Sequence, residues 1–464
     1  MQNSYRRTLF GLIPPKLYLG FLAALTTQQC IVASSTLWIA LLSESVVLKK
    51  PILGYLSLFV ASLTFVYIPA ISMTLLNKQL QFVSFWNYLE KFYQHFLGHI
   101  QYRNNTEVKQ DYFPILTSEA FSVLQEAYLF QQEVLSLLLN VGFNLLAISM
   151  ILRFDFAISY LIGFGLAYVF ILWSKRRIEA LAEKDQSARV KTQSHLLSGW
   201  DTITIGNSPN SKPWFEALKE LWNSQKSSGV YAIGTNHIIG AISMLLVLGP
   251  VSYTFFRFAL LTKSEPVQLV MLVATLPRQV QMVQCIHALT SYFTLWSALK
   301  IRLIGILKPL LIEPPKKFEL LERIKWETLN WSNGSSPQNI EECIQMIQSL
   351  GASGYLQLQG PNGAGKSSVL QYLKKHFGDQ AFYLPAQHDL FFPDIKAGST
   401  GERTVAILKQ ILKDFPQKIL LLDEWSANLS QQNIEKLEAI LEAASKKRLP
   451  FDALKKFKFF RRFN

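Results

Sequence analysis

Long apolar runs fill roughly the first 300 residues of the chain, and polar stretches separate one run from the next. A helix that crosses the hydrocarbon core of a bilayer needs about 20 mostly apolar residues. Six segments reach this length. One alone could be a buried helix of a soluble protein, but six together favour a membrane domain. The predicted spans are Leu17–Leu42, Ile52–Leu76, Val134–Leu152, Phe156–Trp173, Tyr231–Phe256 and Val267–Trp296.

The connections between these spans alternate between short and long. The break at 153–155 is so short that it permits only a tight hairpin of spanning helices. The polar segments 77–133 and 174–230 are much longer, which predicts helices that continue well past the membrane on one side. The second long segment begins with an excess of Lys and Arg, so the positive-inside bias places that side in the cytoplasm.

Composition and charge narrow the choice of partners. Hydrophobic residues make up 50% of the 464 residues, more than a soluble core requires. The net charge of +14 could indicate nucleic acid, but the basic residues lie mostly in loops and in the tail, so we expect no nucleic-acid partner. The three cysteines have no metal or disulfide spacing. Pro14, Pro15 and Lys16 interrupt the amino-terminal apolar run, and we expect no cleaved signal peptide.

From about residue 320 the pattern becomes that of a soluble α/β domain. Paired prolines and lysines before it predict a linker. A strand, a Gly-rich turn and a helix follow one another in 355–377, and the apolar runs "QAFYLP" and "KILLLDEW" predict further strands of a parallel sheet. The predicted domains are a membrane domain (1–307), a linker (308–319) and an α/β domain (320–464).

The Gly-rich turn matches the phosphate-loop pattern G-x-x-x-x-G-K-[ST] between a strand and a helix, the context that this chemistry needs. Its backbone N–H groups would surround the phosphates of ATP, Lys366 would meet the β- and γ-phosphates, and the Ser367 hydroxyl would bind Mg²⁺. The expected ATP-binding residues are Gly360, Pro361, Asn362, Gly363, Ala364, Gly365, Lys366, Ser367 and Ser368.

Two carboxylates follow the apolar run at 419–422. The carboxyl ends of parallel strands are where such sites form, so Asp423 can reach the metal that Ser367 would hold. Glu424 is then placed to polarise the attacking water.

The segment "STGER", followed by a helix and "LLLDEW", resembles the signature and Walker B regions of the ATP-binding cassette (ABC) transporters. The resemblance covers the whole chain and implies an exporter-type half-transporter. Its fold would be a polytopic α-helical membrane domain, six transmembrane helices with long cytoplasmic extensions, followed by a P-loop nucleotide-binding domain. Thr400 and Trp425 are similar to residues of bacterial exporters for cyclic peptides and siderophore precursors.

This resemblance also implies roles for single residues. Gln387 would act in catalysis beside Glu424 and Lys366, and would join Ser367 and Asp423 at the metal. Trp331 is the candidate for stacking on adenine, with Trp326 as the alternative and a core tryptophan as a further reading. The signature residues that would contact the partner's ATP are Ser399, Thr400, Gly401 and Glu402.

At the level of the whole protein, the resemblance implies a multi-pass protein of the bacterial inner membrane with its nucleotide-binding domain in the cytoplasm. A second half-transporter, identical or related, would complete it, and a peptide-like substrate would be exported. Polar residues of the spans would line a pathway or join the helices by hydrogen bonds. These residues are Gln28, Gln29, Asn140, Asn144, Asn236, His237, Arg278 and Gln281.

The chain departs from the family pattern in its last third. Lys366 and Asp423 are only about 57 residues apart, which predicts a reduced helical subdomain. Ser430 stands where the family has an Asp, and no histidine follows His388. We therefore expect ATP binding with slow or absent hydrolysis. The alternatives are a degenerate transporter with a regulatory or scaffold role and a membrane-tethered P-loop protein that transports nothing.

The basic and aromatic end of the chain, "SKKRLPFDALKKFKFFRRFN", has two readings. It could be an anchor at the membrane interface. The reading that we favour is the truncated or frame-altered end of a gene.

Overall fold

The apolar segments fold into helices that are longer than the segments themselves. In the described part of the computed structural model, six helical segments are long and apolar enough to cross a membrane, and each overlaps one predicted span. The six predicted spans are thereby confirmed as apolar helices of spanning length. The described residues are 2–103, 112, 115–197, 199–261, 266–312, 321–322, 324–332, 334–349, 354–386, 390–393, 395, 400–414, 419–424, 429, 431–446 and 458–462.

The chain divides into two compact units. The helical unit comprises Met1–Phe92 and Tyr112–Leu311, and the sheet unit comprises Tyr93–Asp111 and Ile312–Asn464. The α-helices in the first part of the chain are α1 Gln2–Phe10, α2 Pro15–Val47, α3 Leu53–Phe65, α4 Tyr67–Phe96, α5 Ala120–Ile151, α6 Phe154–Leu197, α7 Trp200–Ile205, α8 Ser208–Leu261 and α9 Pro266–Leu307. The last residues of α4, from Tyr93 onward, belong to the sheet unit.

The second predicted span is interrupted, because α3 ends at Phe65 and α4 begins at Tyr67. Pro69 lies in the first turn of α4 and has no N–H to donate to the carbonyl four residues earlier. The helix resumes with the bond from the Ala70 N–H to the Val66 carbonyl, at 3.2 Å. The pattern of apolar residues showed the span but not this break.

Helices α6 and α8 continue well past their apolar segments, as the long polar connections predicted. Helix α6 runs on to Leu197 and α8 begins at Ser208, although the apolar part of each is far shorter. The two helices approach closely where α6 carries Gly163. A Cβ atom there would lie 2.8 Å from the Val247 Cα atom, so only glycine permits this packing.

The core of the sheet unit is a five-stranded sheet with the order β1-β2-β5-β4-β3. Strand β1 is antiparallel to β2, and the other neighbours are parallel. Helices α10 and α11 flank β2 in sequence, and α12 precedes β4. The elements are β1 Asn330–Trp331, α10 Ile340–Ser349, β2 Gly354–Gln359, α11 Lys366–Phe377, β3 Ala381–Leu384, α12 Thr400–Asp414, β4 Ile419–Leu422, α13 Gln431–Lys446 and β5 Lys458–Arg462.

The carboxy-terminal tail contributes the middle strand of this sheet. Strand β5 pairs with β2 on one side, where Phe460 faces Leu356, and with β4 on the other, where Phe460 faces Leu421. Residues paired on both sides in a sheet do not lie at a membrane surface, so the anchor reading of this segment is wrong for residues 458–462. Whether the tail is the altered end of a gene stays an expectation.

The sheet unit also includes a segment that the linear domain division gave to the membrane domain, Tyr93–Asp111. Within this unit Ile100 packs against the apolar core formed by β2, α11 and their neighbours. The Arg103 guanidinium lies over the Tyr383 ring, 5.9 Å from its centre. Packing between residues so distant in sequence leaves no local pattern in the sequence. The segment was therefore assigned to the membrane domain only because it lies between two predicted spans.

Candidate functional site

The candidate site lies where β2 ends and α11 begins. The turn 360–365 leads from the strand into the helix, with the Ala364 N–H bonded to the Pro361 carbonyl at 3.2 Å. Helix α11 is 12 residues long, and its first N–H groups open toward the turn. The loop thus has the strand-turn-helix form expected of the predicted phosphate loop.

Two glycines are needed for this turn. Gly363 and Gly365 have φ angles of +80° and +92°, in the left-handed region that favours glycine. A Cβ atom on Gly365 would also lie 2.9 Å from the Ile324 Cα atom. The Gly-rich composition therefore follows from backbone geometry as well as from the proposed ligand.

Lys366, the first residue of α11, is 2% exposed. Its ammonium group donates to the Gly360 carbonyl and, at 3.2 Å, to the Pro361 carbonyl. These contacts fold the Lys366 side chain back over the preceding turn. Its charge therefore lies within the turn whose backbone N–H groups would surround the phosphates.

Asp423 directly follows β4, and its side chain contacts the first turn of α11. Its N–H donates to the Leu384 carbonyl at 2.9 Å, which extends the pairing of β4 with β3 by one residue. Asp423 is 3% exposed, and its carboxylate accepts hydrogen bonds from the Ser367 hydroxyl at 3.2 Å and from the Tyr383 hydroxyl at 3.1 Å. The structure thus brings together the two side chains that the sequence assigned to one metal.

Tyr383 is a residue of the site that the sequence analysis missed. Burial raises the pKa of its hydroxyl well above the usual value, and the adjacent Asp423 carboxylate raises this pKa further. The hydroxyl therefore stays protonated and donates to Asp423, while Gln371 of α11 also hydrogen-bonds to it. Its position near the end of the strand before β4 was the available signal, since the ends of neighbouring parallel strands meet at one edge.

Glu424 has a φ angle of +46°, the left-handed conformation that costs a residue with a Cβ atom about 1–2 kcal/mol. The side chain is half-buried. Strained backbone of this kind clusters at functional sites, because the surrounding structure holds the residue against its preference.

We expect Glu424→Gly to stabilise the sheet unit by about 1 kcal/mol, because glycine adopts this φ angle without strain. Chemical unfolding of the protein without nucleotide would measure it. Glu424→Ala is the matched control, since alanine lacks the carboxylate but keeps the Cβ atom, and it should give no such gain. Equal stability of the two variants would contradict the claim that the backbone at Glu424 is strained.

Trp331 lies in the core of the sheet unit rather than beside the loop. It is 4% exposed and belongs to the cluster of β2, α10 and α11 side chains, whereas Trp326 is half-buried against that cluster. This burial favours the reading of Trp331 as a core tryptophan. Of the two, Trp326 has more surface to offer an adenine ring.

Several predicted site residues lie outside the described part of the chain. These are Gln387, Ser399, Trp425 and Ser430, along with His388. Of the signature segment, Thr400 and Gly401 begin α12 and Glu402 is exposed in its first turn. Their predicted roles stay predictions.

The donor atoms at the loop fit a magnesium ion. Ser367 offers a hydroxyl oxygen and Asp423 a carboxylate, and hard oxygen donors of this kind are the ligands that Mg²⁺ prefers. Magnesium sites for nucleotides use only one or two protein ligands, with phosphates and waters supplying the rest. Among the described residues, no group of three His, Cys, Asp or Glu side chains forms another candidate metal site.

Neither a protein-family model nor a curated protein sequence matches the chain. Its chemistry is therefore inferred from the site itself.

Proposed function

We propose that the protein is an ATP-binding half-transporter of the ABC exporter type, which couples ATP binding and hydrolysis to export of a peptide-like or other amphipathic substrate. The observation that carries the proposal is the contact between Ser367 of the phosphate loop and Asp423 after β4. Six apolar helices in the same chain support a function at a membrane. Together they favour a membrane-embedded nucleotide hydrolase over a soluble one.

In this proposal the loop 360–365 and the start of α11 bind the phosphates, and Lys366 leaves its loop carbonyls to meet the β- and γ-phosphates. Ser367 and Asp423 would hold Mg²⁺, which neutralises charge that develops on the phosphates. Tyr383 orients the Asp423 carboxylate by its hydrogen bond. Glu424, the next residue, would polarise the attacking water.

The proposal includes a second copy or a related subunit. The signature residues 399–402 would complete the site of the partner, because a helix amino terminus suits an anion. We further propose that the protein belongs to the bacterial inner membrane, with the sheet unit in the cytoplasm.

The second candidate function is nucleotide binding with little or no turnover, in a regulatory or scaffold role. Ser430, which stands where the ABC family has an Asp, favours it. Both candidates share the ATP site, so turnover and transport separate them.

Sealed vesicles that contain the purified protein would test the proposal. With MgATP outside, we expect uptake of labelled amphipathic peptides that Lys366→Ala abolishes. Lys375→Ala, which replaces an exposed lysine of the same helix, should leave uptake unchanged. We also expect ATP turnover that is slow and that Glu424→Gln lowers further, because the variant removes the carboxylate that would polarise the water.

The other outcomes decide between the candidates. ATP binding without uptake would favour the regulatory role, and fast magnesium-dependent turnover that Glu424→Gln abolishes would contradict the expectation of impaired hydrolysis. A protein that binds no ATP would contradict both candidates.

A further inference from the structure

Arg278 lies roughly midway along the part of α9 that could span a membrane, Pro266–Leu289. Its guanidinium is half-buried and makes hydrogen bonds only to uncharged groups. It donates to the Gln281 side-chain oxygen at 2.6 Å, to the Ser35 hydroxyl at 3.4 Å and to the Val32 carbonyl at 3.5 Å. Among the described residues no carboxylate lies within ion-pairing distance of it, since every ion pair found there involves other residues.

A permanent positive charge at this depth is costly, and the three uncharged acceptors of Arg278 neutralise none of it. Arginine stays protonated in proteins, and a cation within a span faces protein or water rather than lipid. Arg278 is about 18 Å along the helix from Pro266, at 1.5 Å for each residue, so lipid headgroups at the span ends are beyond the reach of its side chain. Any counter-charge must therefore come from within the protein or from a solute that enters it.

The polar side chains between α2 and α5 supply no counter-charge, because they are uncharged and hydrogen-bond to one another. Thr36 of α2 donates to the Asn144 side-chain oxygen at 2.9 Å, and Asn140 donates to the Gln29 side-chain oxygen at 2.9 Å. Gln29 in turn donates to the Ser136 hydroxyl at 2.8 Å. These bonds join α2 to α5, which supports the helix-joining role that the sequence left open for Gln29, Asn140 and Asn144.

We propose that Arg278 binds a carboxylate of the transported solute, and that the solute is therefore an anionic amphipathic molecule such as a peptide with a free carboxyl terminus. The planar guanidinium can hold a carboxylate through two parallel hydrogen bonds. Gln281 orients it through the short bond on its exposed side. This inference rests on the proposed function, because it names the substrate class of that transporter.

Binding of a matched pair of probes to the full-length protein in nanodiscs, without nucleotide, tests it. One probe is a fluorescent N-acylated hydrophobic tetrapeptide with a free carboxylate, and the other is its carboxy-terminal amide. We expect the carboxylate to bind at least tenfold more tightly, which matches the value of a charge-assisted hydrogen bond. Arg278→Gln should remove this preference, and Arg278→Lys, which keeps the charge but loses the planar fork, should keep part of it.

Equal binding of the two probes by the wild type would overturn the inference, and so would a preference that survives in Arg278→Gln. The wild-type comparison decides the matter even if a variant fails to fold. Because no nucleotide is present, the result is independent of the ATP site. Loss of uptake in vesicles with an intact carboxylate preference would count against the proposed function alone, and uptake without the preference against this inference alone.

Discussion

Deletion of residues 458–464 should unfold the sheet unit while the helical unit keeps its helices. Strand β5 separates β2 from β4 and pairs with both, so its loss leaves one edge of each strand without partners. A buried backbone group without a partner costs about 1–3 kcal/mol, and several such groups together exceed the roughly 5–15 kcal/mol that stabilises a typical domain. Limited proteolysis would show rapid cleavage within 312–464, and ATP binding should disappear.

A single substitution gives a sharper form of this test. Phe460→Pro removes the N–H from the middle of the central strand, where proline is not tolerated, whereas Phe460→Val keeps the N–H and suits a strand. We expect the proline variant to resemble the deletion and the valine variant to resemble the wild type. If the deletion variant still unfolds cooperatively and binds ATP, β5 is not part of the sheet.

The tail shows why part of the fold could not be predicted. Its basic and aromatic composition favoured a membrane interface or a non-native end, because those are the readings that composition alone supports. Its place between β2 and β4 depends on pairing with strands roughly 40 to 100 residues earlier, and pairing at such separations has no local pattern. The choice between a core and a stacking role for Trp331 stayed open for the same reason, since core packing is set by distant partners.

Local features, by contrast, could be predicted well. The six spans follow from the length of apolar runs, a requirement set by bilayer thickness. The contact of Ser367 with Asp423 follows from the phosphate-loop pattern and from the rule that parallel strands end at one edge. The same rule could have indicated Tyr383, but a tyrosine in a strand carries no signal of a role until its hydroxyl is seen beside Asp423.

Asp423→Ala should abolish magnesium-dependent ATP binding, with an affinity loss above the 10- to 100-fold that is usual for a residue that only supports a metal ligand. The variant removes the proposed metal ligand and leaves the Ser367 and Tyr383 hydroxyls without their acceptor. Titration with a fluorescent ATP analogue, with Mg²⁺ and with EDTA, would measure the change. The affinity in EDTA should fall far less, because the loop 360–365 and Lys366 are intact.

Tyr383→Phe is the matched comparison, since it keeps the carboxylate and removes only the hydrogen bond that orients it. We expect about a 10-fold loss of affinity with Mg²⁺ and almost none in EDTA, as for other groups that position a metal ligand. The site is tested by which of the two variants loses more affinity for ATP with Mg²⁺. Removing a metal ligand should cost more affinity than leaving that ligand in place without its orienting hydrogen bond. Equal losses of affinity in Tyr383→Phe and Asp423→Ala would therefore mean that the carboxylate supports the sheet edge and does not bind the metal.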